Sequence, residues 1–234
     1  MEPKALIFDT FGTVVDWRGS LIAELTSWGR QRDIAADWVG LVHAWRAAYQ
    51  PSMDRVRKGE RPWALLDALH RETLDRLLDE FNVPGLGEAD RRHLNSGWHR
   101  LKPWPDSIPG LSRLKRRFII APLSNGNVSL LLNMAKNAGI PWDMIFGSDL
   151  FERFKPDPAT YLGAARLLDL APGEVMMCAA HNSDLRAAQA LGVQTAFFPR
   201  PTEYNPRRQR DLAPDGDWTV VAKDIEDLAT RLGA

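Results

Sequence analysis

Residues 5–17 read ALIFDTFGTVVDW: four apolar residues ended by a carboxylate, Asp9, and a turn carrying Gly12 and Thr13. A continuous apolar run bounded by a turn is the pattern of a strand buried on both faces, as in a parallel sheet. Asp9 then stands at the carboxyl end of that strand, the edge along which open α/β sheets gather their ligands. Gly12 permits a tight turn, and the Thr13 hydroxyl is placed to hold one oxygen of the carboxylate.

Outward from this stretch, RFIIAPL (117–123), EVMMCAA (174–180), VQTAFF (193–198) and WTVVA (218–222) repeat the short apolar pattern. Between them lie helical patterns, among them NVSLLLNMAKNAG, PATYLGAARLLDL, SDLRAAQALG and DIEDLATRLG. Strands alternating with helices specify an α/β fold, a Rossmann-like parallel sheet with helices on both faces. The stretch 16–100 breaks the alternation, since its patterns are almost all helical, including GSLIAELTSWGRQR and DWVGLVHAWRAAYQ. The expected organisation is a core of residues 1–15 and 101–234 with a helical cap, 16–100, inserted after the first strand.

Composition narrows the classes. Of 234 residues, 44% are hydrophobic, and 30 basic residues balance 30 acidic ones, so no net field favours nucleic acid or an anionic membrane. The basic run Pro206–Arg210 is too short to reverse that and reads as a solvated loop. No apolar run approaches a membrane span, and Met1–Lys4 does not open a signal peptide, so a cytoplasmic protein is the expectation. Cys178, alone in an apolar run, reads as a buried structural thiol. His43, His70, His93 and His99 show no metal-ligand spacing, and most of the nine tryptophans read as packing between helices. The strand ends and nearby loops bring together Asp9 with Thr13, Ser124 with Asn125, Lys155, and His181 to Asp184.

In order, FDTFGT, LSNG, FKPDP and AAHNSD resemble the four motifs of the haloacid dehalogenase (HAD) superfamily. The resemblance implies that Asp9 is a nucleophile forming a covalent aspartyl intermediate. Most members resembling this pattern are magnesium phosphatases with Asp-x-Asp in the first motif. Here the second position is Phe11, which has no proton to give an alkoxide leaving group. Ala179 and Ala180 stand where the phosphatase fourth motif has Gly-Asp, so a metal-ligating carboxylate is missing, and the expectation is no metal and no cofactor.

A halide leaving group needs neither acid nor metal, which points to the type II L-2-haloacid dehalogenase branch. On that resemblance HAWRAAY supplies Arg46 beside the halogen, and KPDPATY supplies Lys155 and Tyr161. Ser124 and the amides beside it would grip the substrate carboxylate. Asn125 would line the halide side, with Phe11 and Asn182 counted among the substrate-binding residues. Asp184 would order the water that hydrolyses the ester. His181 replaces an Asn of the branch, with either water handling or a structural tie as its role. The implied reaction converts short L-2-haloalkanoic acids to 2-hydroxy acids, and the implied assembly is a homodimer. Two alternatives stay open from the sequence: a magnesium-dependent phosphatase or phosphonate hydrolase on this fold, and a catalytically silent binding protein. The preferred halogen, fluoride included, is not written in these motifs.

Overall fold

In the computed structural model of the chain, which describes residues 2–204 and 210–234, the opening stretch forms β1 (Ala5–Phe8), buried along its whole length. It pairs in parallel with β4 (Ile119–Pro122) on one side and β5 (Val175–Ala179) on the other, Phe8 lying between Pro122 and Cys178. Beyond β5 follow β6 (Gln194–Phe197) and β7 (Val220–Val221), giving a five-stranded parallel sheet in the order β4-β1-β5-β6-β7.

Alternation sends successive β1 side chains to opposite faces. Leu6 and Phe8 join the core with α5 (Ser107–Leu114), α6 (Val128–Ala138) and α9 (Ile225–Arg231). Ala5 and Ile7 join α7 (Pro158–Leu167) and α8 (Asn182–Gln189). Cys178 belongs to this buried sheet, and burial pushes its thiol pKa up, so it stays a packing residue. The basic run expected at 206–210 falls outside the described residues except for Arg210.

Four helices occupy the stretch after the first turn: α1 (Trp17–Gln31), α2 (Trp38–Arg57), α3 (Leu66–Glu80) and α4 (Glu88–Asn95). Asp16 and Asp37 cap the first two, each accepting from an N–H in the first turn at 2.8 Å. The chain enters and leaves this segment through an antiparallel ribbon, β2 (Val15–Asp16) beside β3 (Lys102–Pro103). At its base lies Trp98, fully buried, stacked on His70 at 4.2 Å and edge-on to Phe11 and Trp45, each at 5.6 Å. Among the described residues no helix is long and apolar enough to cross a membrane.

Two elements differ from the expected pattern. The α2 helix continues through Pro51 to Arg57, although an interior proline costs a hydrogen bond. Burial of Tyr49 and Met53 on either side of the proline offsets that loss. The short α5 was not expected, because Pro109 and Gly110 break its helical pattern. Pro109 falls in the first turn, where its missing N–H is harmless, and Gly110 lets α5 approach α9.

A Cβ at Gly110 would sit 2.6 Å from Ile225 Cγ2 and 2.7 Å from its carbonyl carbon. Gly110→Ala is therefore expected to destabilise the protein by about 2 kcal/mol, despite the better helix propensity of alanine. Urea unfolding should show a lower midpoint at unchanged slope, and an unchanged or raised midpoint would contradict the close packing of α5 on α9.

Candidate active site

Asp9 follows β1 directly, its N–H donating to the Cys178 carbonyl at 3.0 Å. The chain then turns so sharply that the N–H groups of Val14 and Val15 both reach the Thr10 carbonyl, with Gly12 at φ +90°. This turn brings the Thr13 hydroxyl back to donate to Asp9 Oδ2 at 2.7 Å, while Thr13 Oγ1 itself accepts the Ala180 N–H at 3.0 Å. The first and fourth motifs are thereby tied together.

Lys155 reaches the site from the segment before α7. Its backbone N–H donates to Asn125 Oδ1 at 2.7 Å, and its carbonyl accepts from Arg57 at the end of α2. Nζ donates to Asp9 Oδ1 at 3.0 Å and, more closely still, to Asp184 Oδ2. Tyr161 donates to the other Asp184 oxygen at 2.5 Å. Burial alone would raise the Asp9 carboxyl, but the Lys155 ammonium and the His181 hydrogen bond overrule it and hold the group well below the usual carboxylate range. Burial likewise opposes the Lys155 charge, and the two carboxylates raise its pKa regardless.

His181 sits between two carboxylates. Nδ1 is 2.9 Å from Asp9 Oδ2 and Nε2 is 2.9 Å from Glu203 Oε2, and both partners are acceptors only, so both nitrogens carry protons. Burial disfavours this imidazolium, yet Glu203 and Asp9 raise its pKa well above that of a free histidine. Glu203, only 2% exposed, also accepts from Trp17 Nε1 at 3.0 Å. Sequence reasoning missed this residue. It lies in the irregular segment after β6, where no periodicity or motif marks it. The one local signal is Gly12, because a Cβ there would fall 2.1 Å from Glu203 Oε1.

A cavity of about 940 Å3 opens over these groups. Asp9, Lys155, His181 and Asp184 line it from the sheet side together with Asn125 and Tyr161, and Phe11 and Arg46 line it as well. The Arg46 guanidinium lies 4.3 Å from the Tyr49 ring centroid and 5.1 Å from that of Trp17. Its Nη1 is a buried donor with no partner among the described residues, which makes this wall a ready anion site.

Two of the expected substrate contacts have side chains placed away from the cavity wall. Asn182 is turned to the 211–218 segment: Nδ2 donates to Asp211 Oδ1 at 2.8 Å and to the Ala213 carbonyl at 3.0 Å. Its Oδ1 accepts from Trp218 Nε1 at 2.9 Å and from the Asp215 N–H at 3.2 Å. All of its hydrogen-bonding capacity is spent there, so it ties a loop in place and is absent from the cavity wall. Ser124 also lies off the wall, its hydroxyl accepting the Gly126 N–H at 3.2 Å in a local turn, and Asn125 is the second-motif side chain that faces the cavity.

The donor set does not fit magnesium. The Lys155 ammonium occupies the position between Asp9 and Asp184 where a bridging cation would be needed, and Phe11 and Ala180 contribute no side-chain oxygen. Among the described residues no cluster of three or more His, Cys, Asp or Glu side chains is arranged to hold a metal ion.

The sequence pattern of haloacid dehalogenase-like hydrolases matches residues 3–192. Over 99% of both chains the protein is 30% identical to (S)-2-haloacid dehalogenase 1 of Pseudomonas sp. (strain CBS-3). Its fold superposes on the crystal structure of the L-2-haloacid dehalogenase PA0810 with a TM-score of 0.96 at 50% identity, covering 99% of each chain. It matches the defluorinating L-2-haloacid dehalogenase Rha0230 with a TM-score of 0.95 at 51% identity, covering 99% of this chain and 96% of the other. With the motif order, the parallel sheet and these matches in agreement, the chain belongs to the haloacid dehalogenase-like hydrolase family.

Proposed function

We propose that this protein hydrolyses the carbon–halide bond of short L-2-haloalkanoic acids, yielding 2-hydroxy acids through an ester on Asp9. The observation that carries the reading is the inventory of lone pairs on Asp9. Oδ2 spends both on Thr13 and His181, whereas among the described residues Oδ1 accepts only from Lys155, which leaves one lone pair for attack. The relatives named above support the substrate class, and the unpartnered Arg46 donor supports halide departure.

In this mechanism Oδ1 attacks C2 from the side opposite the halogen, and the halide leaves with its bonding pair toward Arg46, inverting C2. Fixed donors and limited solvent make an otherwise weak carboxylate nucleophile effective. Water then adds to the Asp9 carboxyl carbon while Asp184 takes its proton. The negative charge that forms on Oδ2 meets the Thr13 hydroxyl and the His181 N–H, already placed at 2.7 and 2.9 Å. Collapse expels the product through Oδ1, beside Lys155, and the alkoxide takes the proton from Asp184. Ionisation of the regenerated Asp9 carboxyl releases the net proton of the reaction.

Residues 16–100 act as a cap over the cavity in this reading, contributing Arg46. A homodimer and a cytoplasmic location go with it on family resemblance. The motif departures at Phe11 and Ala180 weigh against a phosphatase, and the complete set of Asp9, Lys155 and Asp184 weighs against a silent fold.

Purified protein should release chloride from L-2-chloropropionate and not from the D-isomer, with no loss on adding EDTA, and fluoroacetate belongs in the same panel. Asp9→Asn should lower the rate on the order of 1,000-fold or more. A single turnover in 18O-water should place the label in Asp9 before it appears in product, and label found first in product would overturn the ester.

The same chemistry sets a pH dependence. A raised His181 pKa keeps the imidazolium present below it and loses the proton only as pH rises through it, so kcat should stay level across neutral pH and fall on the alkaline side. Glu203→Gln removes one of the two charges that raise the group. The alkaline limb should then move down by about one pH unit or more, and an unmoved limb would remove the Glu203–His181 pair from the mechanism.

A further inference from the structure

The cavity carries a second cationic feature that the chemistry above does not use. Arg18, half-buried in the first turn of α1, donates from Nε to His43 Nε2 at 2.9 Å. The acceptor role requires an unprotonated Nε2, so the guanidinium is oriented by a neutral contact rather than neutralised by a carboxylate. Neither Nη atom has a hydrogen-bond partner among the described residues. Asp16, two residues away, feels the Arg18 charge but forms no ion pair with it and uses Oδ1 on the Gly19 N–H. Arg210 shares the same cavity, lies 5.9 Å from the Tyr204 ring centroid, and also has no carboxylate partner among the described residues.

Many arginines elsewhere are tied to acids, as Arg71 is to Asp75 and Glu88, Arg100 to Glu24 and Arg200 to Asp106, and Arg113 and Arg116 spend their donors on backbone oxygens and a hydroxyl. Three arginines with no ion pair among the described residues, Arg18, Arg46 and Arg210, converge on one cavity. A half-buried guanidinium with open donors favours an anionic partner. The cavity, at about 940 Å3, is in the range of drug-sized ligands, far beyond the six heavy atoms of a chloropropionate.

Spacing then selects the ligand. His43 and Arg46 are three residues apart on α2, so their side chains leave one helix face from Cβ atoms about 5 Å apart and both line the cavity. In a four-carbon 2-halo diacid the second carboxylate stands a similar distance from the halogen. Resting on the dehalogenase reading, we infer that Arg18, oriented by His43, anchors an outer carboxylate subsite and extends the substrates to L-2-halo dicarboxylic acids of four carbons. Its two open Nη donors match a carboxylate bidentately.

The test compares L-2-chlorosuccinate with L-2-chlorobutanoate, which differ by a carboxylate in place of a methyl group. The ratio of their kcat/KM values for chloride release should favour the diacid at least tenfold at low ionic strength. Arg18→Gln should lower that ratio tenfold or more, while Arg18→Lys keeps part of it through a point charge. A wild-type ratio of one or less, a ratio unchanged in Arg18→Gln, or an equal fall for both acids would overturn the subsite. A binding arm separates this from the reaction itself. Calorimetric titration with unhalogenated succinate and butanoate should show the same preference and the same loss in Arg18→Gln. Absence of chloride release from L-2-chloropropionate would sink the dehalogenase reading, and the binding preference would still decide the subsite.

Discussion

One ammonium group lies between two buried carboxylates, and the site depends on it. Lys155 Nζ bonds both Asp9 and Asp184, with all three side chains almost wholly enclosed. Two carboxylates taken out of water repel one another and lose their hydration, a cost of several kcal/mol for each ion without compensation. Lys155 compensates both at once, Thr13 and His181 bond Asp9 Oδ2, and Tyr161 bonds the second Asp184 oxygen, so that one Asp9 Oδ1 lone pair stays open. The arrangement keeps Asp9 ionised in an enclosed space, which is the condition for a carboxylate to act as a nucleophile.

Holding that arrangement falls to a second buried pair. Arg200 grips Asp106 with both Nη atoms at 2.7 and 2.8 Å, donates from Nε to the Thr13 carbonyl at 2.9 Å, and accepts the Glu203 N–H at 3.1 Å. Asp106 in turn accepts the Ile225 N–H at 2.9 Å, and the pair spans the turn after β1, the end of β3 and the start of α9. Thr13 and Glu203 are the two ends of the network on Asp9 Oδ2. Arg200 therefore sets the register of both, Thr13 through its guanidinium and Glu203 through its backbone carbonyl.

The sheet was legible because its signals are local: apolar runs of strand length, helices stopped by glycine, and a carboxylate at a strand end. Lys155 and Tyr161 were legible from one contiguous segment, FKPDPATY, in which the short reach from lysine to tyrosine spans a turn and the first turn of α7. Glu203 was not, since its burial is created by tertiary contacts with Trp17, His181 and Gly12 that carry no periodicity. Asn182 shows the opposite case. Its place beside His181 in the motif suggested substrate contact, whereas a residue at a helix start turns its side chain according to what packs there, and here the 211–218 segment takes it. The α5 helix was hidden by proline and glycine, residues that break helices in general and are tolerated here in a first turn and at a close crossing.

The α2 helix gives the molecule a mechanical property. Arg46 and Arg57 stand eleven residues apart, close to three full turns, so they project from one side of the same rod. One end meets the cavity at the anion wall, and the other holds the carbonyl of Lys155. The rod cannot lift from the cavity mouth without letting go of the lysine's backbone, so access for substrate and the seating of the charge that keeps Asp9 ionised are geared to one displacement.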